Sequence, residues 1–339
     1  MVELDNGYLA SGSWDKSIKI WDLTTNTVKF TFNELNGGHE YWVSCLALLK
    51  NGFLASGSWD KTIKVWDVNN GKLKYTFDET NGGHTDNVND LVVLTNGYLA
   101  SESDDFTIKV WDVVNGKLIY TLDDSNGGHS DYLSSLAALD NGYLASGSWD
   151  NSVKVWDTNT GRLIYTFDQR NGGHTALVGT LIQLEANYLA SGSHDNTIKI
   201  WDLNTGRLKY TFNKTNGGHD DFVNSLVLLE NGYLASESND FTIKVWDTLN
   251  GKLKYTFDES VGGHVDFLSS LVPLNDGYLA SGSFDYTIKI WDIVNGKLKH
   301  TLDDSKNGHK NIVSAIVQLR NNLIVSASWD STIKVWEDN

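Results

Sequence analysis

Ser56-Gly57-Ser58-Trp59-Asp60-Lys61-Thr62-Ile63-Lys64-Val65-Trp66-Asp67 decides the fold of this chain. Close copies of it recur along the whole sequence. The tryptophan near its end returns as Trp21, Trp66, Trp111, Trp156, Trp201, Trp246, Trp291 and Trp336, each 45 residues after the last. Asp follows every one except Trp336, where Glu337 stands. Working outward, Gly38-His39 opens the unit, and Trp42 to Leu49 alternates as a strand does. Asn51-Gly52 has the composition of a two-residue type I′ hairpin, whose central residues both take positive φ. Phe53 to Ser58 reads as a second strand and Thr62 to Trp66 as a third. After the Asn70-Gly71 turn comes a fourth, Lys72 to Phe77, and His84 restarts the pattern. Four short antiparallel strands per unit make the fold all-β.

A period of about 40–45 residues closed by Trp-Asp is the mark of a propeller blade. The Gly-His opening, the Trp-Asp close and their spacing resemble the WD40 family of β-propellers over essentially the whole chain, 1–339, read as one domain. The resemblance implies blades with strand a innermost and strand d outermost. It also implies a polar tetrad in each blade, which in the second unit falls on His39, Ser56 or Ser58, Asp60 and Trp66. Counting units predicts eight blades, the first with a stub of strand a and the eighth without strand d. The alternative is seven blades with surplus strands, which would expose Leu9, Ile18, Ile324 and Val335. The mid-unit start suggests a piece of a longer repeat protein. So does a longer period: Tyr98 to Asp112 and Tyr233 to Asp247 differ only at Asp104 against Asn239.

A formal charge of −16 argues against nucleic acid and anionic membranes as partners. One cysteine, Cys45, excludes an internal disulfide and suits the cytoplasm; its apolar neighbours predict a buried small hydrophobe. No catalytic set, metal-spaced ligand group or cofactor motif stands out. The Gly37-Gly38 type of pair lacks the Lys-Ser of a phosphate loop. Seven of the nine histidines belong to the Gly-His step and read as framework.

Eight of the thirteen tryptophans close the repeats; Trp14, Trp42, Trp59, Trp149 and Trp329 do not. The residue before the tetrad Asp runs Trp14, Trp59, Asp104, Trp149, His194, Asn239, Phe284, Trp329. The residue three after the histidine runs Trp42, Asn87, Tyr132, Leu177, Phe222, Phe267, Ile312, and two further on lie Ser44, Asn89, Ser134, Gly179, Asn224, Ser269, Ser314. These positions vary while the framework barely does. The candidate partner-binding set is Trp14, Trp42, Trp59, Asp104, Tyr132, Trp149, His194, Phe222, Asn239, Phe267, Phe284 and Trp329, because exposed aromatics among polar groups resemble an interface core. Glu102 and Glu237 make blades 3 and 6 the acidic ones.

The WD40 resemblance implies a non-catalytic scaffold for proteins or peptides. The acidic groups favour basic segments, with cation–π contacts to Trp14, Trp59 and Trp329. Self-association through open blade edges is a further possibility of the same plan. Carbohydrate binding by stacked indoles is the alternative function, and an engineered or amplified repeat without a selected ligand is another. The plainest competing account is that the aromatics only pack neighbouring turns together.

Overall fold

The computed structural model describes residues 1–5 and 7–336. Glu337 lies outside the described residues. The chain forms eight antiparallel sheets, in strand order a-b-c-d in the first seven; the eighth has three strands among the described residues. Two compact units, Met1–Asp168 and Gln169–Asn339, hold four sheets each. In the first unit, blade 1 is Val2–Glu3, Leu9–Gly12, Ile18–Asp22 and Thr27–Phe32, and blade 2 is Val43–Leu48, Leu54–Ser58, Ile63–Asp67 and Lys72–Phe77. Blade 3 is Val88–Val93, Leu99–Ser103, Ile108–Asp112 and Lys117–Leu122; blade 4 is Leu133–Ala138, Tyr143–Ser148, Val153–Asp157 and Arg162–Phe167.

In the second unit, blade 5 is Val178–Leu184, Tyr188–Ser193, Ile198–Asp202 and Arg207–Phe212. Blade 6 is Val223–Leu228, Leu234–Ser238, Ile243–Asp247 and Lys252–Phe257; blade 7 is Leu268–Leu274, Tyr278–Ser283, Ile288–Asp292 and Lys297–Leu302. Blade 8 is Val313–Gln318, Ile324–Ser328 and Ile333–Trp336. Helical segments among the described residues are three-residue 3₁₀ turns, and no helix is long and apolar enough to cross a membrane.

Within each unit, neighbouring blades pack through apolar layers. Strand b (Leu54–Ser58) is buried on both faces, so it reads as small and apolar residues rather than as an alternation. Phe32, at the end of strand d in blade 1, stacks on Trp66 of blade 2 at 4.4 Å, and Phe77 stacks on Trp111 at 4.5 Å. In the second unit Phe212 meets Trp246 and Phe257 meets Trp291 in the same way. Such pairs add about 0.5–1.5 kcal/mol each beyond the area they bury. In these four seams the Trp of one repeat is completed by the Phe of the repeat before it; at Trp156 and Trp336 the matching residue is Leu122 or Leu302.

The glycine pair before six of the seven framework histidines has a local cause. Asp78 caps the turn Glu79–Asn81 by accepting from the Thr80 N–H, and Gly82 ends it at φ 85°. A Cβ on Gly83 would lie 2.5 Å from the Asp78 carbonyl carbon. The first glycine is needed for its backbone and the second for want of room.

The a–b hairpin corrects the type I′ expectation at Asn51-Gly52. Only Gly52 has positive φ, its N–H donates to the Leu49 carbonyl at 2.8 Å, and the Leu49 N–H donates to Phe53. This is a three-residue loop, a type I turn followed by a left-handed glycine. At Asn70-Gly71 too only the glycine is left-handed, and its N–H reaches back to Asp67 at 2.9 Å.

Candidate functional site

Four side chains of blade 2 meet in one chain of hydrogen bonds. The Trp66 indole N–H donates to Ser56 Oγ at 2.9 Å, and Ser56 Oγ is 2.7 Å from His39 Nε2. His39 Nδ1 is 2.8 Å from Asp60 Oδ2. With the proton on Nδ1, every donor meets an acceptor. Asp60 also accepts from the Glu40 and Thr62 backbone N–H groups and the Thr62 hydroxyl. Ser58 stands outside this chain; its hydroxyl accepts from the Asp60 N–H and so shapes the b–c turn. Equivalent chains run through His84, His129, His174, His219, His264 and His309.

Burial alone would raise the Asp60 carboxyl, but the bonds and charge of His39, with those from Thr62 and Glu40, hold it well below the usual carboxylate range. Burial lowers His84, His129, His174 and His219 against the pull of their aspartates. The distances match a Ser-His-Asp triad. Access does not: Ser56 and His39 are fully buried, and the Ser56 hydroxyl already accepts the Trp66 indole N–H. The arrangement holds strands together and cannot present a nucleophile.

The variable positions are joined by the backbone. The Trp59 N–H donates to the Trp42 carbonyl at 3.0 Å, so the residue before the tetrad Asp sits beside the one three after the histidine. The same bond joins Asp104 to Asn87, Trp149 to Tyr132, His194 to Leu177, Asn239 to Phe222, Phe284 to Phe267 and Trp329 to Ile312. Ser44, two residues beyond Trp42, is the extra residue of a β-bulge: Val43 pairs with Ser58 and Cys45 with Gly57. Asn89, Ser134, Gly179, Asn224, Ser269 and Ser314 occupy the same bulge in their blades. A bulge frees a side chain from the ladder and re-aims it.

In the first unit, Trp14 stacks on Trp42 at 5.0 Å, and Trp42 lies 4.7 Å from Trp59. Tyr132 meets Trp149 edge-on at 5.6 Å. Asp104 takes the Asn87 and Asn89 amides at 2.9 and 2.7 Å. In the second unit His194 stacks on Phe222 at 4.1 Å, and Phe267 touches Phe284, which lies 6.2 Å from Trp329. Asn239 accepts from the Asn224 amide. Trp42, Phe284, Asp104, His194 and Asn239 are half-buried, whereas Trp14, Trp59, Trp149 and Trp329 keep 60, 38, 52 and 50% of their surface in water.

Four aromatics escape a reading of those two series. Tyr41 stacks over Trp59, and Phe106, Phe241 and Tyr286 follow the tetrad Asp. Phe106 meets Tyr132 at 4.9 Å and Phe241 meets Phe267 at 5.1 Å. All three stand at positive φ, where Asn151 and Asn196 serve other blades at less cost. Bulky rings there are the available sequence signal. Cys45 is half-buried as a whole residue and packs against the core of blades 2 and 3, where burial of its thiol, and then the charge of Asp90, pushes the thiol up. Among the described residues no three His, Cys, Asp or Glu side chains gather as a metal site.

A family model described as "WD domain, G-beta repeat" matches residues 4–22, 28–67, 71–112, 116–157, 161–202, 206–247, 251–292 and 296–337. Among solved structures, the chain is similar to the computationally designed Ika8 protein at 31% identity. The match covers 97% of this chain and 92% of that one, with a TM-score of 0.81. No curated protein sequence matches the chain.

Proposed function

Since the chain belongs to the WD domain, G-beta repeat family, we propose that it is a non-catalytic scaffold holding a protein or peptide against the b–c-turn ends of its blades. The observation that carries this reading is the exposure of Trp14, Trp59, Trp149 and Trp329, each fixed on a hydrogen-bonded turn. Rigid, amphipathic rings offer contact area at little entropic cost, and such residues dominate binding hot spots. The acid-rich composition favours basic partners, and the single cysteine suits the cytoplasm.

The likeness to a computationally designed protein favours a second reading, a repeat array without a selected ligand. A peptide library separates the two when bound to the intact chain and to a Trp14→Ala/Trp59→Ala/Trp329→Ala variant. A scaffold selects a family of sequences and loses them in the folded variant. Equal retention by both proteins removes the scaffold reading.

A further inference from the structure

We propose that the cavity between blades 3 and 4 receives the guanidinium group of an arginine side chain carried by the bound peptide. The proposal rests on the scaffold reading and adds the chemistry of its partner. Its origin lies in strand b. Gly12, Gly57, Gly192 and Gly282 occupy one position there, and a Cβ on any of them would come within 2.7–2.8 Å of a valine Cγ1. Those valines, Val43, Val88, Val223 and Val313, start strand a of the next blade. Blades 3 and 6 instead carry Glu102 and Glu237, and the next blade then begins with Leu133 or Leu268. Leucine is unbranched at Cβ and so lacks the methyl that closes the space. The acid and the room for it arrive together.

Beside Glu102 lies a cavity of about 540 Å³ walled by Asp90, Glu102, Asp104, Tyr132, Leu133 and Trp149. Glu102 is 1% exposed, and its Oε2 has no hydrogen-bond partner. Its neighbours are already engaged: Asp104 holds the two asparagine amides, and Asp90 Oδ1 accepts from the Leu91 N–H. A buried acceptor without a donor is costly, and two nearby carboxylates make a cationic donor the favourable one. Burial, then Asp90 and Asp104, raise the Glu102 carboxyl well above its ordinary range, a penalty that an arriving cation relieves.

The walls select among cations. Tyr132 and Trp149 present a face and an edge at 73°, and Leu133 is apolar. A metal ion gains nothing from the rings and would need the carboxylates to converge on it, which no three acidic side chains do among the described residues. A guanidinium is planar, weakly hydrated, stacks on rings and carries five donors.

The test is an NMR titration of the intact chain, following indole N–H signals, with acetyl-Ala-Arg-Ala-amide and with its citrulline and lysine counterparts. Citrulline keeps the shape and removes the charge. The arginine peptide is expected to bind about tenfold more tightly than the citrulline one, with Glu102→Gln abolishing the preference. Equal binding of arginine and citrulline, binding of neither, a preference for lysine over arginine, or a preference that survives in folded Glu102→Gln overturns the proposal. Should Glu102→Gln not fold, Asp104→Asn carries the test, because it gives blade 3 the 98–112 sequence that blade 6 already folds with at 233–247. That variant is expected to weaken the preference. Library peptides that bind without arginine dependence remove the pocket and leave the scaffold. Arginine binding here, together with library binding indifferent to the loss of Trp14, Trp59 and Trp329, removes the aromatic-surface reading alone.

Discussion

Blades 3 and 6 share one sequence from strand b to strand c, with Asp104 in one and Asn239 in the other as the single difference. Both bury a glutamate with an orphan oxygen, and both rely on a leucine from the following blade. Their surroundings part company. Glu102 faces Asp90 across the strand pair, whereas Glu237 faces Ser225. The aromatic neighbours are Tyr132 and Trp149 in one seam and Phe267 and Phe284 in the other. Burial alone pushes Glu237 up to about 8, while Glu102 is raised by burial together with Asp90 and Asp104. A shared framework can therefore carry two chemistries, because strand a and the following blade lie outside the shared stretch.

The largest effect should be shared by both seams. Asp105→Ala and Asp240→Ala each strip a buried histidine of its acceptor, at a cost of about 3 kcal/mol in denaturant unfolding. A difference between them beyond about 1 kcal/mol would mean that the frameworks themselves differ.

Stability against pH sharpens the contrast. A raised carboxyl contributes stability that is complete below its unfolded pKa and is lost as pH rises through the folded one. Wild type should therefore lose about 4 kcal/mol between pH 4.5 and 8 on account of Glu237, and Glu237→Gln should flatten that slope. Glu102, raised by burial and then by Asp90 and Asp104, adds a slope of the same sign. On the acid side the lowered His84 and His219 contribute stability present above the ordinary histidine pKa and lost as pH falls, and the lowered Asp105 and Asp240 lose theirs further down. Neither glutamine variant should alter that limb.

Asp104→Asn should change stability by less than about 1 kcal/mol, since its one oxygen keeps the Asn89 bond, as Asn239 does with Asn224, and the Asn87 amide can turn its own oxygen to the new NH2. The smallest effect belongs to Phe106→Asn and Phe241→Asn. Relief of left-handed backbone strain and loss of a ring contact oppose each other, leaving a change within about 0.5 kcal/mol by thermal unfolding. A loss above about 1.5 kcal/mol would make these rings struts and favour the packing account of the aromatics.

The blade plan was readable from residues because it rests on spacing: a Trp every 45 residues, Gly-His before strand a, Asp after strand b. The variable series were readable too, since they break a regular pattern. Their pairing was not, because the Trp59–Trp42 bond depends on a register shift that no residue type announces. Asn51-Gly52 misled for a related reason: loop length, not the dipeptide, selects the turn, and Leu49 to Phe53 closes around three residues. Glu102 was visible as an acid. Its isolation was not, because that depends on the leucine-for-valine exchange in another repeat and on Asp90, which in sequence is one more polar residue of a strand.

The most direct measurement is a crystal structure of the chain soaked with ethylguanidinium. The cation should appear against Glu102, beside Tyr132 and Trp149, and be absent from Glu237 beside Phe267. Occupancy at both glutamates or at neither would contradict the account.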